Sequence, residues 1–328
     1  MSAERKIRLL LAALLAAALA MPAQAQTSKP AKPAPRPPAA PAQPGPESDL
    51  AYAAYQRGQY LTAFAEAKRR VESNGDPKSM TLLAELYAQG LGVPLDEKKA
   101  AEWYKLAADR GDREAMFQLA LFRIAGRGGP RNRDEAVKLF TAAAKLGHPA
   151  AAYDLGLLYL EGQQFPQDFG RAAELFRAAA EAGNPEAQYA LGTIYKEGRG
   201  VEKDLREAAR WLGAAANAGN MDAEVEYAIA LFNGTGVAKD ETAATELFLK
   251  SARRGSPISQ NRLAHILARG MGRPADPVEA AKWHLIAKAG GNGDPWLDDF
   301  VSKLKPEQRT AAQKAAKPWL DALAASRP

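Results

Sequence analysis

The 328-residue sequence has no cysteine and only three histidines. The lack of cysteine excludes a disulfide scaffold, a thiolate zinc site, an iron–sulfur cluster, a cysteine nucleophile and a lipidated N-terminal cysteine. His148, His265 and His284 leave little for a histidine-built metal site, and no two have the i, i+4 spacing of a zinc-binding helix. The sequence has no G-x-x-x-x-G-K-[ST] phosphate loop and no G-x-S-x-G nucleophile elbow. It also lacks an apolar run of the roughly 20 residues that a bilayer core requires, and mean hydropathy is −0.35. These absences read as a non-enzymatic chain with no catalytic set, no metal and no cofactor.

Net charge is small in the body of the chain. Arg5, Lys6 and Arg8 against Glu4 leave +2 in residues 1–25, and Lys29, Lys32 and Arg36 leave +3 in residues 26–46. Of the total of +6, only +1 remains for residues 47–328. A nearly neutral body gives no footing for nucleic-acid binding.

What is present begins with an address. Residues 1–25 have a basic start, an apolar stretch from Leu9 to Ala20, and small residues Ala23 and Ala25 before Gln26. This pattern predicts a cleavable secretory signal and a periplasmic or secreted product with no integral membrane segment. Eight prolines in residues 26–47 then predict a disordered, extended linker, because proline fixes φ and removes a backbone donor.

A period of 36 residues follows. Six units tile residues 77–112, 113–148, 149–184, 185–220, 221–256 and 257–292. Gly90, Gly126, Gly162, Gly198, Gly234 and Gly270 share the end of a first helix, where a left-handed residue suits glycine. Two positions on stand Gly92, Gly128, Gly200, Gly236 and Gly272, with Gln164 as the exception. Asp96, Asn132, Asp168, Asp204, Asp240 and Asp276 then predict the N-cap of a second helix. Glu135, Glu207 and Glu279, three residues later, predict capping boxes. A column of Trp103, Leu139, Leu175, Trp211, Leu247 and Trp283 reads as core because it exchanges tryptophan for leucine. Each unit is therefore helix A, a glycine-containing loop, helix B and a tight turn.

The run Ala187, Leu191-Gly192, Tyr195, Gly198, Gly200-Val201, Asp204, Ala208, Trp211, Ala215-Ala216 and Gly219 resembles the Sel1-like repeat, a relative of the tetratricopeptide repeat. The resemblance covers six units, about two-thirds of the chain. It implies an all-α, right-handed α-solenoid of antiparallel helix pairs. It also implies adaptors in signalling and complex assembly. Solenoid ends need polar outer faces. Residues 48–76 read as a degenerate N-terminal cap and residues 293–328 as C-terminal capping helices starting near Pro295 and Pro306. Trp296 and Trp319 are expected to seal the last unit, and Pro318 to kink or end the final helix.

Recognition is expected where the frame varies. One helix-A column carries Leu82, Gln118, Asp154, Ala190, Glu226 and Arg262, and its neighbour carries Phe117, Tyr153, Tyr189, Val225 and Asn261. Gln118, Tyr153, Asp154, Tyr189, Glu226 and Arg262 form the candidate protein-binding groove. The alternative for Tyr153 and Tyr189 is packing between neighbouring A helices. The resulting expectation is an exported interaction scaffold with envelope proteins as partners and a role in an envelope signalling or assembly complex. Two alternatives stand beside it: a binder of cell-wall fragments or β-lactams with enzyme-like chemistry, which the missing cysteines disfavour, and a secreted host-directed effector.

Overall fold

The structure is a computed structural model that describes residues 50–162 and 166–325. The expected signal peptide and linker, Gln164 and the last three residues lie outside the described residues. Two compact units make up the described chain, residues 50–107 and 108–325. Sixteen helices and no strand occur among the described residues.

The first unit holds α1 (Leu50–Gln56), α2 (Tyr60–Asn74), α3 (Pro77–Gln89) and most of α4 (Glu97–Asp109). The second holds five A/B pairs. These are α5 (Arg113–Ala125) with α6 (Arg133–Lys145), α7 (Pro149–Glu161) with α8 (Phe169–Glu181), and α9 (Pro185–Glu197) with α10 (Leu205–Asn217). They continue with α11 (Met221–Asn233) and α12 (Glu241–Arg253), then α13 (Pro257–Arg269) and α14 (Pro277–Ala289). Two end helices follow, α15 (Pro295–Ser302) and α16 (Pro306–Ala325). Every helix from α3 to α14 is 13 residues long, so equal positions face equal neighbours in each unit.

One backbone lock recurs in all six A-to-B loops. The N-cap N–H donates to a carbonyl nine residues back in helix A: Asp96 to Tyr87, Asn132 to Arg123, Asp168 to Tyr159, Asp204 to Tyr195, Asp240 to Leu231 and Asp276 to Leu267, at 2.9–3.1 Å. The side chains of this column accept from the first turn of helix B, as predicted; Asp240 takes the Ala243 N–H at 2.9 Å. The lock overturns the expected capping boxes. The N–H that each glutamate would have bonded is already used, so Glu135 pairs with Arg123 at 2.8 Å, Glu207 with Arg210 at 2.6 Å and Glu279 with Lys282 at 3.0 Å.

The loop glycines have a steric reason. A Cβ on Gly236, whose φ is +73°, would sit 1.8 Å from the carbonyl oxygen of Leu205 at the start of the preceding helix B. Gly272 makes the same approach to Glu241 at 2.7 Å. The loops at Gly92, Gly200, Gly236 and Gly272 therefore lie on the start of the helix B that precedes them.

The centre of the packing is a column next to the expected one. Tyr104, Phe140, Phe176, Leu212, Phe248 and His284 are at most 2% exposed. Burying each apolar member stabilises by about 1.5–3 kcal/mol relative to leaving it in water. Trp211 and Trp283 are buried too, whereas Trp103, Leu139, Leu175 and Leu247 are half-buried against the same clusters. Small residues make room for this column: a Cβ on Gly156 would meet Phe176 at 2.6 Å and one on Gly192 would meet Leu212 at 2.8 Å.

At the C-terminal end Trp319 packs on Trp283 with ring centroids 5.5 Å apart, and so seals the last pair. Trp296 does not; it is 42% exposed and stacks on His265 at 5.0 Å. The final helix does not end at Pro318 but runs on to Ala325. Ala316, Trp319, Leu320 and Leu323 hold it against the last unit, and this burial outweighs the one backbone bond that proline removes.

Candidate functional site

Helix A presents the candidate residues at its fifth and sixth positions in each unit, so the two columns recur on one face from α5 to α13. Gln118, Tyr153, Asp154, Tyr189 and Glu226 are half-buried, and Arg262 is exposed. Two other members of these columns are core rather than surface. Val225 is buried in the second unit, and Leu82 is buried in the first.

The tyrosines are anchored at one edge and open at the other. Tyr153 packs on Phe176 at 5.5 Å. Tyr189 packs with Tyr227 against Ala215, Ala216 and Ala223. Burial raises both hydroxyl pKa values above the ordinary range; Asp154 adds to this at Tyr153, and Asp222 and Glu226 add to it at Tyr189. Burial also pushes the Asp154 carboxyl up to about 7, against a small opposing pull from His148. Gln118 donates to Glu114 at 2.8 Å, and Lys196 reaches across to Glu226 at 2.9 Å. Arg262 has no ion pair among the described residues.

His148 works structurally. Its Nδ1 accepts from the Ala151 N–H at 3.1 Å and caps α7, while Nε2 donates to Glu114 at 3.0 Å and the ring stacks on Phe117 at 4.5 Å. That hydrogen bond holds the Glu114 carboxyl below its usual range. Asp76, Asp112, His148, Asn184, Asn220 and Ser256 together form a second N-cap column, at the start of every helix A. The sequence signal for it was a polar residue before Pro77, Pro149, Pro185 and Pro257.

Residues one turn earlier on helix A enlarge the candidate face. Glu114, Glu186 and Asp222 lie beside Gln118, Tyr189 and Glu226 and are exposed. With Glu226 they put carboxylates on the face over α5 to α11, and Arg262 begins a cationic end at α13. The face has half-buried aromatic rings, carboxylates and an unpaired arginine on a repeating frame. Such a surface can bind an extended chain by stacking, hydrogen bonding and charge.

The geometry defines a class: an α-solenoid of repeated helix pairs that offers one variable face. The family is equally plain. The chain belongs to the Sel1 repeat family, whose profile matches residues 77–112, 113–148, 149–184, 185–220, 222–256 and 257–292. Sel1 repeat proteins are generally protein-interaction scaffolds rather than enzymes. Among solved structures the chain is similar to a protective antigen of uropathogenic Escherichia coli with an SLR fold, at 29% identity and a TM-score of 0.70. That alignment covers 83% of this chain and 62% of the antigen, so the chain spans less than two-thirds of that protein's length. It is also similar to a Sel1 repeat protein from Oxalobacter formigenes, at 27% identity and a TM-score of 0.59, over 74% of this chain and 97% of that one. A search of curated proteins finds no match. Among the described residues no helix is long and apolar enough to cross a membrane.

Proposed function

We propose that this chain is an exported, non-enzymatic scaffold that holds an extended segment of an envelope protein on its helix-A face and so regulates or organises an envelope complex. One observation carries the binding part of this reading. Variable residues stand at equal positions of successive 13-residue helices, on a frame whose glycines, caps and aromatic core repeat almost without change. A partner segment would lie across the tyrosines, with basic residues toward Glu186, Asp222 and Glu226 and a hydrogen-bonding group toward Asp154. The basic, apolar, small-residue start of the chain supports export.

The test is cross-linking in living cells with the tagged chain, beside a variant carrying Gln118→Ala, Asp154→Ala and Glu226→Ala. One dominant envelope protein captured by the parent and lost from the equally helical variant is the expected result. Equal capture by both removes the groove assignment. N-terminal sequencing of the purified product checks export, and is expected to start at Gln26.

A further inference from the structure

A cleft of about 360 Å³ opens beside Arg262, between α11 and α13. Its floor is apolar, built from Ile229, Phe232, Phe248, Ile266 and Met271. Its rim is polar and cationic, with Arg262, His265 and Arg269. Both arginines are exposed, and neither has a carboxylate partner among the described residues. The Asp294 carboxylate is already taken by the rim histidine: His265 Nε2 donates to its Oδ2 at 2.9 Å. The other ring nitrogen of His265 is buried and has no hydrogen-bond partner among the described residues. Trp296 packs under the Arg269 guanidinium at 4.2 Å and thereby restricts it.

We propose that this cleft is a specificity pocket for one apolar side chain flanked by carboxylates, within an extended acidic segment of a partner protein. The volume stands at the low end of the range of ligand-binding clefts, room for one side chain, and the floor includes a pliable methionine. Arg262 and Arg269 are seven residues apart on one helix, two turns and about 10.5 Å along its axis. In an extended chain, residues two before and two after a given side chain point the same way and stand about 13 Å apart. The reach of an arginine side chain closes that difference. A sequence of the form acid-x-apolar-x-acid therefore sets its apolar residue on the floor and its carboxylates on the two guanidinium forks. This inference rests on the scaffold reading and adds the chemistry of the segment end that lies at α13.

The probe is a fluorescein-labelled peptide, Gly-Ser-Glu-Ser-Phe-Ser-Glu-Ser-Gly, titrated with the full chain and read by fluorescence anisotropy. Saturable binding is expected, weaker by about tenfold or more when both acids are changed to Gln or when Phe is changed to Ala. The double variant Arg262→Gln with Arg269→Gln is expected to bind the parent peptide no better than the Gln peptide. Lys at both positions is expected to restore part of the loss. Both sites are exposed, and circular dichroism checks that helicity is kept. The proposal is overturned by equal affinity for acidic and amide peptides, by an unchanged double variant, or by no saturation up to about 1 mM. It is also overturned if 4-phenylbutyrate binds as tightly as the peptide, because the occupant is then a free small acid. Loss of peptide binding with capture at Asp154 and Glu226 intact removes the pocket and leaves the scaffold. Peptide binding without any captured partner does the reverse.

Discussion

Asp154 is a titratable group on the candidate face that its surroundings perturb strongly. Its carboxyl is raised from 3.8 to about 7 by burial, so the folded chain holds a proton that the unfolded chain has already released. Between these two values the native state binds more protons than the unfolded state. The stability tied to this residue is complete below about pH 3.8, and it is lost as pH rises toward 7. Asp154→Asn is expected to remove that slope and to raise stability at pH 8 by on the order of 2 kcal/mol. Urea unfolding of parent and variant from pH 4 to pH 8 checks it. Parallel curves across that range would contradict the assignment. The same residue was legible in the sequence only as a variable position. Its burial depends on the packing of α7, which no local pattern records.

At the scale of the element, every A-to-B loop is held by the bond from the N-cap N–H to helix A, and four of them also by a glycine, Gly92, Gly200, Gly236 or Gly272, seated on the preceding helix B. Gly236→Ala puts a methyl group 1.8 Å from the Leu205 oxygen at a φ of +73°. The expected cost is about 3 kcal/mol, from backbone displacement and the left-handed conformation together. Gly219, at a φ of +90° with nothing near its absent Cβ, is the control, and its alanine variant is expected to cost about 1–2 kcal/mol. Thermal unfolding compares them, and equal losses would show that the loop seat is unimportant. Period and residue type made these helices, their glycines and the helix-B caps readable from the sequence. Three features were not readable, each because a non-local contact decides it. The capping-box glutamates lost their donor to a carbonyl nine residues away. The Tyr104-to-His284 column lies one residue from the more conspicuous tryptophan column. Pro318 was carried through its helix by packing on the last unit.

For the whole molecule, the repeat makes stability a sum of neighbouring contacts and leaves one face free to vary. The frame was almost fully legible because its residues recur six times. The face was legible only as variation. The structure adds that its tyrosines are anchored, that Glu226 is tied to Lys196, and that Arg262 borders a cleft. Binding through the helix-A face is the central claim. It is tested most directly by a photo-cross-linking amino acid placed, one site at a time, at Ala190 and Arg262 on that face and at the exposed helix-B positions Glu174 and Glu246. The account expects one discrete protein adduct from the helix-A sites and none from the helix-B sites. Equal adducts from both sets, or adducts from helix B alone, would contradict it.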